Sequence, residues 1–190
     1  MAVANEAQQM KADADKELEE AVPAMEAAKK AVDCLTNKAI VEFKSYQTPP
    51  KDADQVTNAV LIMLGEKNKN KLTWAAGQKM MNQPQKFIER LQNYDKNNIP
   101  DQALNDLKPI LDQPFFNEQT MKGKSEAAAN LCSFVVNVIN YNRIWRRVKP
   151  LMESADEAEK TANEKLEELR VVQEKVAEIV AKVNELRNNL

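Results

Sequence analysis

The chain has 190 residues, a formal net charge of −2, three glycines, two cysteines and no histidine. That length holds one domain, or one domain with an extension. The lack of histidine excludes His-based acid–base catalysis, Ser-His and Cys-His nucleophiles and most zinc sites. Sparse glycine and few alternating β-branched runs weigh against a sheet, whereas abundant Ala, Glu, Lys, Leu and Gln favour long helices.

Residues 1–36 form the first predicted element. Ala7, Ala14, Ala21, Ala28 and Leu35 lie seven apart, with Met10, Leu18, Met25 and Val32 between them. The step of eight from Met10 to Leu18 disturbs the three–four alternation and weakens the register there. Alanine buries much less area than leucine, so at about 25 cal/mol per Å² this coiled-coil seam is marginal. Met1 to Met10 contain no apolar run of the secretory type. With only Cys34 and Cys132, the sequence predicts a cytoplasmic protein with two free thiols.

Residues 37–147 read as short helices separated by punctuation. Thr36 or Asn37 caps a helix that runs through Tyr46 and stops at Pro49-Pro50. A second helix covers about Asp52 to Leu64, with Gly65 as its C-terminal cap. Glu66 to Lys71 is a polar loop. A third helical region spans Trp74 to Tyr94 with an interruption near Pro84. A short helix carries Leu104 and Leu107, and Pro109 and Pro114 mark irregular chain. Asn117 is predicted to start a long helix that passes without a breaker into the C-terminal arm.

Residues 148–190 carry the clearest pattern. Val148, Ala155, Ala162, Leu169, Val176, Val183 and Leu190 repeat every seven, followed three residues later by Leu151, Ala158, Val172, Ile179 and Leu186. Six such heptads predict a coiled-coil seam. Because the two arms lie at opposite ends of the chain, they pair antiparallel, with the middle as a cap. The fold class is therefore all-α: an antiparallel two-helix coiled coil capped by a small helical bundle. Aligning the prolines puts Ala14 opposite Ala158, Met10 opposite Ala162 and Ala7 opposite Leu166. The shorter N-terminal arm leaves residues beyond about 170 without a partner, as in a piece of a longer hairpin. Pro23 and Pro150 stand at the inner ends of the arms, either as paired kinks and hinges or simply as helix ends.

No catalytic constellation, metal set or cofactor motif is found. The cysteines are too far apart for a CxxC site, and Gly65-Glu66-Lys67 is no phosphate loop. No stretch approaches a membrane span. The remaining signal is basic. Residues 37–147 contain 16 Lys+Arg and 11 Asp+Glu, a net of +5, whereas the flanks contain 11 and 18, a net of −7. Lys38 and Lys44 lie on the first short helix, Lys79, Lys86 and Arg90 on the third region, and Arg143, Arg146 and Arg147 further on. Lys122 and Lys124 fall in the predicted first turns of the long helix. Cations there oppose the helix dipole, so they are placed for an acidic partner or are ordinary solvated lysines.

Several segments resemble the stalk tip of dynein heavy chains. They are Glu42-Phe43-Lys44-Ser45 with Pro49-Pro50, Leu64-Gly65-Glu66-Lys67 with Trp74, Phe87, Tyr94 through Pro100, and Pro114 through Ser125 to Tyr141. The wording Leu131 to Asn137 is similar to axonemal, outer-arm heavy chains. The resemblance implies that 37–147 is a microtubule-binding domain and that 1–36 and 148–190 are the stalk helices. It implies αβ-tubulin and the remainder of a dynein heavy chain as partners, and a ciliary or flagellar axoneme as location. ATP hydrolysis belongs to a motor ring outside this chain, so no enzyme activity or cofactor is expected. Lys38, Lys44, Lys79, Lys86, Arg90, Lys122 and Lys124 are the implied microtubule contacts, with Pro23 and Pro150 as hinges. Many relatives carry a basic residue where this chain has Gly123. The resemblance also implies that the stalk helices slide by half a heptad to couple affinity to the ring.

The same basic tip on a helical hairpin is the design of a nucleic-acid-binding arm of the tRNA synthetase kind. Few aromatics free for base stacking and a modest positive charge weigh against nucleic acid, and no membrane partner is expected. A pure spacer would leave the charge division unexplained.

Overall fold

The computed structural model describes residues 2–189. In chain order its helices are α1 (Ala2–Glu19), α2 (Val22–Asp33), α3 (Asn37–Lys44), α4 (Ala53–Met63), α5 (Trp74–Met80), α6 (Pro84–Gln92), α7 (Asp101–Leu111), α8 (Glu118–Lys122) and α9 (Glu126–Asn188). A 3₁₀ turn occupies Lys69–Lys71, and there is no strand among the described residues. The all-α expectation holds. The chain divides into two compact units, Leu18–Arg146 and Met1–Glu17 with Arg147–Leu190.

In the unit Leu18–Arg146, several helix starts are fixed by side chains. The Thr36 hydroxyl accepts from Ala39 N at 3.1 Å, Thr73 accepts from Ala76 N at 3.1 Å, and Asn117 Oδ1 accepts from Thr120 N at 2.7 Å. Each satisfies a backbone donor that the first helical turn leaves open, a contribution of about 1 kcal/mol. Pro84 opens α6, where its missing N–H costs nothing. Gly65 closes α4 at φ +112, with Gly65 N donating to Ile62 O and Glu66 N to Leu61 O. That reciprocal pair needs a left-handed residue, which favours glycine.

α4 is the central helix. Val56, Thr57, Asn58, Ala59, Val60, Ile62 and Met63 are all buried along it, so almost its whole circumference faces protein. It packs against α5 and α7, while α6 packs against α2 and α3. Phe43, Phe87, Leu91, Leu107, Met121, Leu131 and Val135 complete the core. Each such side chain contributes roughly 1.5–3 kcal/mol on burial. Ala28, Ala31 and Val32 of α2 belong to the same core, so the heptad row of the first arm becomes globular packing there.

Two helix boundaries differ from expectation. Pro109 lies inside α7, which continues to Leu111. Pro109 and Asn105 are both exposed, so the carbonyl left without an N–H partner faces water. The helix expected from Asn117 breaks at 123–125. Lys124 N and Ser125 N both donate to Met121 O at 2.9 Å and close α8. The Ser125 hydroxyl then accepts from Ala128 N at 3.2 Å and caps α9.

α9 is clasped to the turn after α6. Tyr141 Oη donates to Asn97 Oδ1 at 2.7 Å, and the buried Asn142 donates Nδ2–H to Lys96 O at 2.8 Å. Asn142 Oδ1 accepts from Arg146 Nε at 3.0 Å. The Arg146 guanidinium also binds Ile99 O and pairs with Asp101.

In the second unit, Ala7, Ala14, Val148, Ala155 and Ala162 are buried at spacings of seven, as the heptads require. Glu17 pairs with Arg147 at 3.5 Å. Leu166 is 54% exposed, so it does not close a layer over Ala7 as the alignment of prolines implied. Burial ends at Ala162, a turn or two before the expected limit near 170. Leu169, Val172, Val176, Ile179, Val183 and Leu186 continue the seam exposed. Pro150 lies inside α9 without interrupting it, and its side chain is exposed. Pro23 lies in the first turn of α2, just after the break that ends α1.

Candidate functional site

The basic residues of the globular unit are held by a rigid α3–α5 contact. Phe43 and Trp74 meet with ring centroids 5.1 Å apart, and Trp74 Nε1 donates to Tyr46 O at 2.8 Å. Gln78 Nε2 donates to the carbonyls of Lys44 and Tyr46, each at 2.9 Å. These bonds satisfy the last carbonyls of α3 and fix its C-terminal turn against α5. Lys44 is half-buried and donates to Asn82 O at 3.3 Å. Lys44 and Lys79 consequently share a shallow groove with Val41, Ser45, Gln78 and Asn82. Lys38 is exposed in the first turn of α3, and Lys86 is exposed in the first turn of α6.

Lys79 also faces a second, larger groove with Arg90. Its lining includes Leu61, Leu64, Met80 and Lys71, with a volume of about 830 Å³. Lys71 belongs to the loop read from sequence only as polar. Its contribution could have been seen in the alternation Lys67-Asn68-Lys69-Asn70-Lys71, three cations on six residues with Glu66 as the only acid.

Lys122 and Lys124 are placed differently from the sequence expectation. They are not in the first turns of the long helix but flank Gly123 between α8 and α9. Lys122 ends α8, where its charge suits the helix dipole, and pairs with Glu118 at 3.7 Å while remaining exposed. Lys124 is drawn inward. Its ammonium donates to Lys51 O and lies 3.6 Å from Asp52 Oδ2. Asp52 has φ 67, left-handed for a residue with a Cβ, and precedes α4 without capping it through its side chain. The lysine therefore ties the α8–α9 break to the turn that starts the central helix. Of the arginines at 143–147 in α9, Arg146 is committed to the clasp and Arg147 to Glu17.

No group able to hold a metal occurs among the described residues, and no helix is long and apolar enough to cross a membrane. The Cys132 thiol is pushed up to about 12, chiefly by burial and then by Glu118, so it is no nucleophile near neutral pH. What remains is a display of cations around grooves of mixed polar and apolar lining on one helical unit.

The family model for the microtubule-binding stalk of the dynein motor matches residues 1–190. The chain belongs to this dynein stalk family. It is similar to the ciliary dynein beta chain of Tripneustes gratilla, 36% identical over 153 residues, which is 79% of this chain and 3% of that one. It is also similar to the flagellar outer-arm dynein beta chain of Chlamydomonas reinhardtii, 35% identical over 161 residues, 84% of this chain and 4% of that one. Human dynein axonemal heavy chain 17 is 34% identical over 144 residues, 75% of this chain and 3% of that one. Against these curated relatives the chain spans only 3–4% of the length. Among solved structures, the microtubule-binding domain of dynein-c matches with a TM-score of 0.60 and 31% identity, over 72% of this chain and 94% of that one. The dynein resemblance read from short segments thus extends to family, fold and axonemal relatives.

Proposed function

We propose that this chain is the microtubule-binding tip and distal stalk of an axonemal dynein heavy chain, working in a cilium or flagellum. The observation that carries the reading is the match to the dynein stalk family over residues 1–190. Residues 37–147 form the binding domain, and residues 1–36 and 148–190 form the stalk helices. The cations Lys38, Lys44, Lys79, Lys86, Arg90, Lys122 and Lys124 meet the acidic surface of αβ-tubulin. Such charges steer encounter over a Debye length of roughly 8–10 Å, so affinity falls with salt. Lys122 is exposed and supplies its charge directly, while Lys124 positions the turn before α4 and supplies less.

The stalk arms transmit the state of the remainder of the heavy chain by sliding, with Pro23 and Pro150 as hinges. Two features support this. The seam of the stalk unit is buried alanine at Ala7, Ala14, Ala155 and Ala162, which commits little energy to any one register. α9 is one continuous helix from Glu126, directly after the break at 123–125, to Asn188. A ligand that favours one register shifts the population by its differential affinity.

The test is co-sedimentation of the purified chain with microtubules at low and high ionic strength, alongside a nucleotide hydrolysis assay. Binding that weakens with salt, without hydrolysis, is expected. Salt-independent binding or intrinsic ATPase activity would count against the reading.

A further inference from the structure

The larger groove is not explained by a flat electrostatic contact. Lys71, Lys79 and Arg90 approach it from three different segments: the 66–72 loop, α5 and α6. None of the three forms an ion pair among the described residues. The one carboxylate in the lining, Glu66, accepts from Asn68 N at 3.0 Å, so three cations line the groove against a single acid. Three cations therefore surround a cleft and keep their charge for something outside it. The floor is apolar. Leu61, Leu64 and Met80 are half-buried there, at the end of α4 and of α5. Lys67 and Lys69, both exposed, extend the positive charge along the loop.

We propose that this groove docks an extended, glutamate-rich peptide presented by the microtubule wall. The chemistry selects that occupant. Carboxylates spaced along an extended chain can reach Lys71, Lys79 and Arg90 on separate walls. An apolar side chain between them covers Leu61, Leu64 and Met80. A nucleic acid would gain nothing from this floor, which offers no aromatic face for base stacking. A single phosphate would fill only part of a groove of about 830 Å³ whose cations come from three separate segments. The proposal rests on the microtubule reading above and deepens it. Lys71, outside the contacts inferred for the domain, becomes part of the binding surface, and Lys79 and Arg90 become walls of a peptide site.

The test uses this chain and a fluorescent synthetic peptide of glutamates interrupted by one leucine, measured by anisotropy in parallel with microtubule co-sedimentation. The wild-type chain is expected to bind the peptide with salt-sensitive affinity. Lys71→Glu should lower that affinity by about tenfold, as for truncation or reversal of one partner in a close charge pair. Lys71→Gln should cause a smaller loss, and Lys175→Glu, on the distal stalk, none. Leu61→Ala should weaken the leucine-containing peptide more than an all-glutamate one. Lack of peptide binding by a chain that still pellets with microtubules would overturn the groove and leave the microtubule reading intact. Equal competition by a single-stranded oligonucleotide of the same charge would also overturn it, because the site would then be an undifferentiated anion surface. Failure to pellet with microtubules while the peptide still binds would overturn the microtubule reading instead.

Discussion

Lys124 Nζ lies 3.6 Å from Asp52 Oδ2, joining the break between α8 and α9 to the left-handed residue that precedes α4. This lysine therefore has a structural task that its neighbour Lys122 lacks. Lys124→Glu should destabilise the chain by about 1 kcal/mol, the scale of a partly exposed ion pair, and should weaken microtubule binding as well. Lys122→Glu should weaken binding with a smaller loss of stability, because its i,i+4 pair with Glu118 is more exposed. Denaturant melts and co-sedimentation on both variants separate the roles; equal effects on stability would remove the distinction.

Gly123 tests the strength of the same region. Its φ is −72, and an added Cβ would meet only Thr120 O at 3.8 Å, an ordinary contact. Gly123→Arg should therefore fold normally and tighten microtubule binding several-fold, because it adds a cation between Lys122 and Lys124. An unchanged or weaker affinity in a fully folded variant would show that the break between α8 and α9 does not face the filament.

Gly77 is a packing requirement. A Cβ there would sit 2.9 Å from both Cβ and Oγ1 of Thr57, which is fully buried and donates to Asp54 O at 2.8 Å. Gly77→Ala should cost about 1–3 kcal/mol through overpacking of α5 on α4, despite alanine's better helix propensity. Thermal denaturation gives the number.

The two thiols should behave oppositely. Cys34 is exposed and Cys132 is buried. A thiol reagent at neutral pH should label one cysteine quickly and the second only on unfolding. Burial raises Cys132 and Tyr94 each to about 12, from 9.0 and 10.0. Both neutral forms are favoured by folding, so this stability is present below the unfolded values and is lost as pH rises from about 9 to 12. Stability should fall over that alkaline window, and Cys132→Ala should flatten its first part.

The stalk register can be trapped within one unit. Ala14→Cys/Ala158→Cys captures the alignment read from the prolines, and Ala14→Cys/Ala155→Cys captures a half-heptad slide. Disulfide geometry admits Cα separations of about 4.4–6.8 Å, so each bond excludes the other register. With Cys34 and Cys132 replaced, the two oxidised forms should differ in microtubule affinity by about 1–3 kcal/mol, a usual coupling between sites. Equal affinities would leave the arms as passive tethers.

Much of this protein is legible from local rules. The helices of 37–147 follow from caps, prolines and Gly65 because each acts within one turn of chain, as Thr36 and Thr73 do here. The heptads fixed which alanines are buried in the stalk, since helical periodicity alone selects a face. The charge division reads, from sequence alone, as a middle suited to an acidic partner. Other features depend on contacts between residues distant in sequence. Lys124 reads as a free cation until the turn before α4, with Lys51 73 residues away, is brought beneath it. Lys71 reads as loop decoration until α5 and α6 place Lys79 and Arg90 around the same groove. Arg146 reads as part of a basic cluster until the turn at Ile99 and Asp101 closes on it. A charge on a sequence carries no sign of whether its counter-ion is inside the fold or outside it; only tertiary packing decides that, by the partner it brings within reach.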